Sequence, residues 1–388
     1  MLHGNPGGPP TMPRNPAMPS LTLSLVSASP GQHHSLQVHR FGTPGRGPKA
    51  MIQAALHADE VPAMLVAQRL RVALAALESQ GQMLGEVVLV PYANPYGLAQ
   101  QVLGQHEGRF DVRNGINFNR LLPDLAAAAA ATVQGQLGPD ADANVALIRA
   151  ALRTAANQLT AVHPVEDLKN KLIQLAIDAD IVLDLHCDSE AVLHLYALTP
   201  HAEIAEQLGR QMGAQAILLA TESGDSPFDE ACSRPWFTLR QQFAPLPVPL
   251  ACFSTTVELR GQADTDHTLA QQDAEALIDF LRLRGVIAGA PQQQPDALCK
   301  GTPLASSEPV TAPSAGVVVF HQHPGSTVAA GALIADLVCP DTGAVTPLHA
   351  VSSGVLYARI ATRWATPGMQ LAKIAGTTLA RTGKLLSA

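Results

Sequence analysis

From residue 21 onward, short apolar runs rich in β-branched residues alternate with longer stretches whose apolar residues recur at helical spacing. Residues 49–56 read as a buried strand, and 61–77 as an Ala- and Leu-rich helix behind it. Residues 86–91 form another apolar run, closed by the turn-forming Asn94-Pro95-Tyr96-Gly97. Further strands are expected at 181–185, 192–198, 216–220 and 255–259, with helices at 144–160, 165–178, 202–212 and 269–283. The alanine run at 126–131 is compatible with a helix or with a low-complexity loop. Strands alternating with helices predict an α/β domain whose sheet is largely parallel and covered on both faces.

The pattern breaks at 288–307, a stretch rich in Gln, Pro and small residues that reads as a linker. Beyond it, short strands at 315–320, 333–338, 354–360 and 371–374 are separated by Pro-Gly, Asp-Thr-Gly and Ser-Gly turns, with no helix of note. The expected organisation is a disordered Pro/Gly-rich lead at 1–20, an α/β domain at 21–288, a linker at 289–310 and a small, β-barrel-like domain at 311–388.

Composition narrows the function. With 388 residues, 47% of them hydrophobic, the chain can bury a substantial core. Charged residues are only 15% and the net charge is −7, which argues against a nucleic-acid partner needing clustered Lys and Arg. No apolar run approaches the roughly 18 residues of a membrane span. Residues 1–20 lack the apolar core of a secretory signal. The five cysteines are scattered, without the paired spacing of a zinc knuckle or redox motif. These features predict a cytoplasmic protein acting on a small molecule, with neither membrane nor nucleic acid as partner and compatible with a homo-oligomer.

Four segments carry candidate chemistry. Ala55-Leu56-His57-Ala58-Asp59-Glu60 closes a strand and opens a helix, so His57 and Glu60 stand at the sheet edge where open α/β sheets bind ligands. Imidazole and carboxylate are both good zinc ligands, although an acidic residue at a helix start is also ordinary. Asp184-Leu185-His186-Cys187-Asp188 ends a second buried strand in a histidine. With His57 and Glu60 it completes the three protein ligands of an open catalytic zinc site. Asp184 shares the face of His186 and is placed to orient it, or else is a solvated strand-end acid. Glu258 lies inside a β-branched run, where a carboxylate needs either a task, such as general acid/base work, or an ion-pair partner such as Arg260. The polar loop from Gly108 to Arg120 offers Asn119 beside Arg120 as a carboxylate clamp, with a solvated turn as the plainer reading. Cys187, on the opposite face from His186, reads as packed rather than ligating, while Arg363 and Trp364 are candidates for a channel mouth.

In combination, His57-x-x-Glu60, Asn94-Pro95-x-Gly97, Asn117-Phe118-Asn119-Arg120, Asp184-Leu185-His186-Cys187-Asp188 and Val257-Glu258-Leu259-Arg260-Gly261 resemble the succinylglutamate desuccinylase/aspartoacylase family. The resemblance covers about residues 35–380. It implies a zinc-carboxypeptidase-like fold: a mixed, largely parallel sheet flanked by helices, with a small all-β C-terminal domain that narrows the active-site channel. It also implies that His57, Glu60 and His186 hold one zinc ion, and that Glu258 is the general acid/base for attack by the zinc-bound water. Asn119 and Arg120 would grip a substrate carboxylate, and Arg109 would polarise the scissile carbonyl, with Arg113 as the alternative. The implied activity is hydrolysis of a linear amide in an N-acyl amino acid. Rival readings are a metallocarboxypeptidase acting on peptide C-termini, and a non-catalytic binding protein on the same fold. A biotin- or lipoyl-type carrier is disfavoured, because no lysine occurs between Lys300 and Lys373.

Overall fold

The computed structural model of the chain describes residues 20–378 and 381–386. Residues 1–19, most of the expected lead, lie outside the described residues, and Ser20 already opens a strand. Nine strands form the main sheet: β1 (Ser20–Leu25), β2 (His34–Gly42), β3 (Lys49–Ala54), β4 (Glu86–Val90), β5 (Ile181–Asp188), β6 (Leu193–Leu198), β7 (Ala216–Ala220), β8 (Phe253–Gly261) and β9 (Gly301–Pro303). Across the sheet they run β1-β2-β4-β3-β5-β8-β6-β7-β9. Neighbours from β4 through β3 and β5 to β8 are parallel, as are β6, β7 and β9. The β1/β2, β2/β4 and β6/β8 pairs are antiparallel. The result is a mixed, largely parallel sheet.

Such a sheet needs cover on both faces, and alternate residues of each strand supply the two contacts. Ile52, Leu183, Leu195 and Val257 pack under α1 (Pro62–Ser79), α5 (Ala202–Met212) and α7 (His267–Leu283). Met51, Val88 and Val182 face the other way, toward α2 (Ala126–Val133), α3 (Ala141–Asn157), α4 (Pro164–Ala176) and α6 (Phe228–Gln242). Helix ends follow local chemistry. Asp140 and Asp266 accept N-terminal amides of α3 and α7, and α5 stops at Gly213 in the left-handed region. No helix among the described residues is long and apolar enough to cross a membrane.

Three features go beyond the sequence reading. The alanine run is helical, as α2. Helix α6, not among the expected elements, continues through Pro235; its buried Phe228, Trp236 and Leu239 hold both halves against the sheet. The expected linker at 289–310 contains β9, which extends the main sheet, and β10 (Ser307–Thr311). Both are short edge strands carrying a proline, which edges tolerate and sequence patterning reads as irregular.

The C-terminal part consists of β10, β11 (Gly316–Phe320), β12 (Leu333–Val338), β13 (Val345–His349), β14 (Gly354–Arg359) and β15 (Gln370–Ala375). These form small antiparallel sheets around Ile334, Leu337, Leu356, Leu371 and Ile374. Glu190 and Ala191, just ahead of β6, pair with Arg359 and Ala358 of β14, and the Val192 amide donates to the Tyr357 carbonyl at 2.9 Å. That stitch brings the β-rich tail over the C-terminal end of β5.

Candidate metal centre and active site

The site begins as a change of side-chain character along one face of the sheet. On β5, Val182 packs into the core beneath α2–α4 and α6, so Asp184 and His186, two and four residues on, face the same side. Strand register carries this polarity sideways. His186 pairs with Glu258 of β8, and Glu258 with His194 of β6. One step back, Asp184 pairs with both Gln53 and Thr256, and Thr256 with Tyr196. Two polar rows therefore cross the sheet at the C-terminal ends of β3, β5 and β8.

His57 and Glu60 arrive from the end of β3. Ala55 takes a left-handed conformation (φ 57°), uncommon for a residue with a Cβ, and turns the chain back toward β5. The Asn94-Pro95-Tyr96-Gly97 turn buttresses this reversal. Asn94 Nδ2 donates to the Leu56 carbonyl (2.9 Å), and its Oδ1 accepts the Gly97 amide (2.8 Å). A Cβ on Gly97 would lie 2.9 Å from that of Ala58, so the turn can approach only as glycine.

The three side chains meet. His57 Nδ1 is 3.0 Å from Glu60 Oε1, and His186 Nδ1 is 2.7 Å from Glu60 Oε2. All three residues are buried, and one potential ligand atom from each lies within 4.8 Å of the others. Their far sides are also held. His57 Nε2 meets Asn117 Oδ1 at 2.9 Å. His186 Nε2 lies 2.9 Å from Asp184 Oδ2, an ion-pair contact without the alignment of a hydrogen bond, while Gln53 Nε2 donates to Asp184 Oδ1 at 2.9 Å. An acceptor behind Nε2 keeps the proton there and turns the Nδ1 lone pair inward.

Electrostatics agree with a cation site. Burial, followed by the Arg109 guanidinium, pushes His57 down to about 4, leaving it neutral. Burial opposes charge on His186, but the Asp184 and Glu60 carboxylates outweigh it and hold the imidazole well above its ordinary value. Burial likewise opposes charge on Glu60, and His186 and His57 outweigh it, keeping that carboxylate well below its usual range. Two inward imidazole nitrogens and a carboxylate, backed by a further buried acid, fit a borderline divalent ion such as zinc.

Around this centre lies a cavity of about 450 Å³. Arg109 enters it beside the ligand set, with Nη1 3.2 Å from His57 Nδ1 and 3.3 Å from Glu60 Oε1. Arg113 does not reach the cavity; it forks onto Asp111 through two 2.8 Å bonds inside its own hairpin. Asn119 and Arg120 are buried and line the cavity. Asn119 Oδ1 accepts the Phe228 amide (2.8 Å), and its Nδ2 lies 3.3 Å from His186 Nε2. Glu258 is partly buried with its open side on the cavity; burial, then the charge of Glu60, pushes it up to about 8. Its Oε2 has no hydrogen-bond partner among the described residues. Cys187 is buried along the wall, and its backbone amide donates to Glu60 Oε2 at 3.0 Å.

The tail closes one side of the cavity with Arg359, Ile360, Leu371 and Lys373. Lys373 Nζ pairs with Asp188 at 2.6 Å, and Arg359 with Glu190 at 2.6 Å. Arg363 and Trp364, candidates for the mouth, do not line it. Arg363 is spent on Glu190 and the Phe320 ring, and Trp364 is half exposed on the tail's own surface. Sequence reading missed Asn117 as a partner of His57, Lys373, and Asp229 on the first turn of α6. Burial, then Glu230, pushes Asp229 up to about 7. The alternation of Asn117 and Asn119 was the one local signal available; Lys373 and Asp229 meet the site only through long-range packing.

A model of the succinylglutamate desuccinylase/aspartoacylase catalytic domain matches residues 46–284. Among solved structures, a protein described as a member of that family from Shewanella amazonensis SB2B superposes with TM-score 0.82 at 29% identity, covering 92% of this chain and 98% of its own. A second, from Shewanella frigidimarina NCIMB 400, gives 0.80 at 25% identity over 93% and 98%. The product-bound ectoine utilization protein of Ruegeria pomeroyi shares the fold, with TM-score 0.63 at 17% identity over 92% and 94%. No curated protein sequence matches significantly.

Proposed function

The chain belongs to the succinylglutamate desuccinylase/aspartoacylase family, and from that premise we propose that it is a zinc-dependent amidohydrolase cleaving an N-acyl amino acid or similarly small, carboxylate-bearing amide. The observation that carries the reading is the buried convergence of His57, Glu60 and His186 on the floor of a cavity also lined by Glu258, Arg109, Asn119 and Arg120. The first three would hold the metal. When bound, zinc supplies Lewis acidity and lowers the pKa of an attacking water toward about 7.

The remaining steps belong to side chains. Arg120 and Asn119 anchor the substrate carboxylate and so set where the amide lies. Arg109 donates to the carbonyl oxygen as negative charge develops there. Glu258 takes the proton from water at the carboxylate and returns it to the departing nitrogen; a carboxyl raised toward neutrality is suited to moving it in both directions. The tail side chains Arg359 and Lys373 restrict the cavity, which favours compact substrates over peptide chains.

The test is a mass-spectrometric screen for free amine released from a panel of N-acyl amino acids, with short peptides alongside, using zinc-loaded and chelator-treated protein. Zinc-dependent cleavage of an acyl amino acid is the expected result. Trimming of peptide C-termini alone would make the protein a carboxypeptidase, and failure to take up metal would make it a binding protein.

A further inference from the structure

None of the proposed steps uses the helical segment between Arg120 and β5, yet that segment sends one charged side chain to the back of the site. Lys169, on α4, is only 5% exposed. Its Nζ donates to the backbone carbonyls of Asn117 (3.0 Å) and Arg120 (2.5 Å). No carboxylate pairs with it among the described residues. Burial and the nearby Arg120 guanidinium push the ammonium down to about 8. Its neighbours Leu168, Leu172 and Ile173 are ordinary apolar core residues. A buried ammonium without a counter-ion is expensive where an apolar side chain would fit, unless its hydrogen bonds do something locally.

The two carbonyls it grips bracket a segment that supplies outer contacts to both imidazoles of the site. Asn117 Oδ1 meets His57 Nε2, Asn119 Nδ2 lies beside His186 Nε2, and Arg120 faces the cavity. The same segment reaches Arg109, whose carbonyl accepts the Phe118 amide at 3.2 Å. Just past it, Leu121 turns into the left-handed region (φ 56°), and the chain leaves along the loop before α6. Both carbonyls bracketing the four residues are thus held by one amine that does not itself line the cavity.

We infer that Lys169 is a positioning residue whose ammonium clamps Asn117–Arg120, keeping the carboxylate grip and the partner of His57 in register with the metal ligands. Its kinetic consequence rests on the deacylase reading; its consequence for metal binding does not.

The test compares Lys169→Met, which keeps the length but not the donors, with Lys169→Gln, which keeps a shorter N–H donor. Leu168→Ala, a buried substitution on the same helix at a residue that does not line the cavity, controls for lost stability. Thermal unfolding, zinc affinity by chelator competition, kcat and KM are measured for each. Lys169→Met is expected to lose about 10-fold or more in zinc affinity and raise KM by a similar factor, with a smaller change in kcat. Lys169→Gln should fall between it and the parent, and decides alone if Lys169→Met does not fold. Values within about twofold of the parent, or losses no larger than those of Leu168→Ala at equal loss of thermal stability, overturn the inference. A parent protein that binds zinc but hydrolyses nothing refutes the deacylase reading alone, and the zinc affinities still decide for Lys169.

Discussion

A single methyl group on Gly108 is expected to disable the site without touching any of its functional side chains. Gly108 packs directly on the turn that carries Glu60. Its carbonyl accepts the Ala58 amide at 3.0 Å, and an added Cβ would stand 2.1 Å from Asp59 N and 2.6 Å from the Ala58 carbonyl carbon. Those are backbone atoms, so no side-chain rotation relieves the clash. Restoring ordinary contact takes about 1 Å of backbone movement, at a cost of about 1–3 kcal/mol for overpacking and about 1 kcal/mol if the hydrogen bond breaks. Arg109 is the next residue, and its guanidinium stands 3.2 and 3.3 Å from the ligand atoms of His57 and Glu60. A misplacement of about 1 Å at this distance costs on the order of 10²-fold in turnover. Gly108→Ala and Gly138→Ala, the latter with nothing within 4 Å of its new methyl, are compared by kcat/KM on a substrate found in the screen and by thermal unfolding. If Gly108→Ala retains kcat/KM within about threefold of the parent, the claim that this close approach positions Arg109 is wrong.

Three other outcomes follow from the same geometry. Glu258→Gln should bind zinc with the parent's stoichiometry and lose nearly all turnover; retained activity on a true substrate removes Glu258 from the proton path. Arg109→Ala should lower kcat by about 10²–10³ as a lost oxyanion donor, whereas Arg113→Ala, which breaks only a fork onto Asp111, should leave kcat nearly unchanged; steady-state kinetics on the pair would expose reversed roles. Outside the cavity lining, burial pushes His201 from the ordinary 6.5 down to about 4. The unfolded chain therefore takes up a proton over that window that the folded chain refuses, so the contribution of His201 is complete above pH 6.5 and lost as pH falls toward 4. Between pH 7 and 5 the loss is about 2 kcal/mol, and denaturant unfolding of His201→Gln should show a pH slope shallower by that amount; parallel slopes contradict it.

The parts of the site that were legible in sequence are those where local order does the work. Strand alternation puts Asp184 and His186 on one face, and an apolar run ending in a histidine marks where the sheet edge lies. The turn at His57 and Glu60 is equally local. Other contributions depend on which distant element lands nearby. Lys169 looks like any helix lysine until α4 docks behind the Asn117–Arg120 segment. Lys373 meets Asp188 only because Glu190 and Ala191 pair with β14 and draw the tail across. Helix α6 escaped notice because Pro235 disrupts its local signal, while the apolar face that holds it is set by tertiary packing. For Arg109 and Arg113, four residues apart in one loop, the hairpin from Phe110 to Asn117 makes the difference: it consumes one and releases the other into the cavity.

X-ray absorption at the zinc edge of the loaded protein interrogates the metal centre itself. Two imidazoles and one carboxylate, with a light atom completing the set, should give scattering at about 2.0–2.1 Å with the outer-shell pattern of histidine. A sulfur contribution at about 2.3 Å would bring Cys187 or another thiolate into the ligand set and contradict the account.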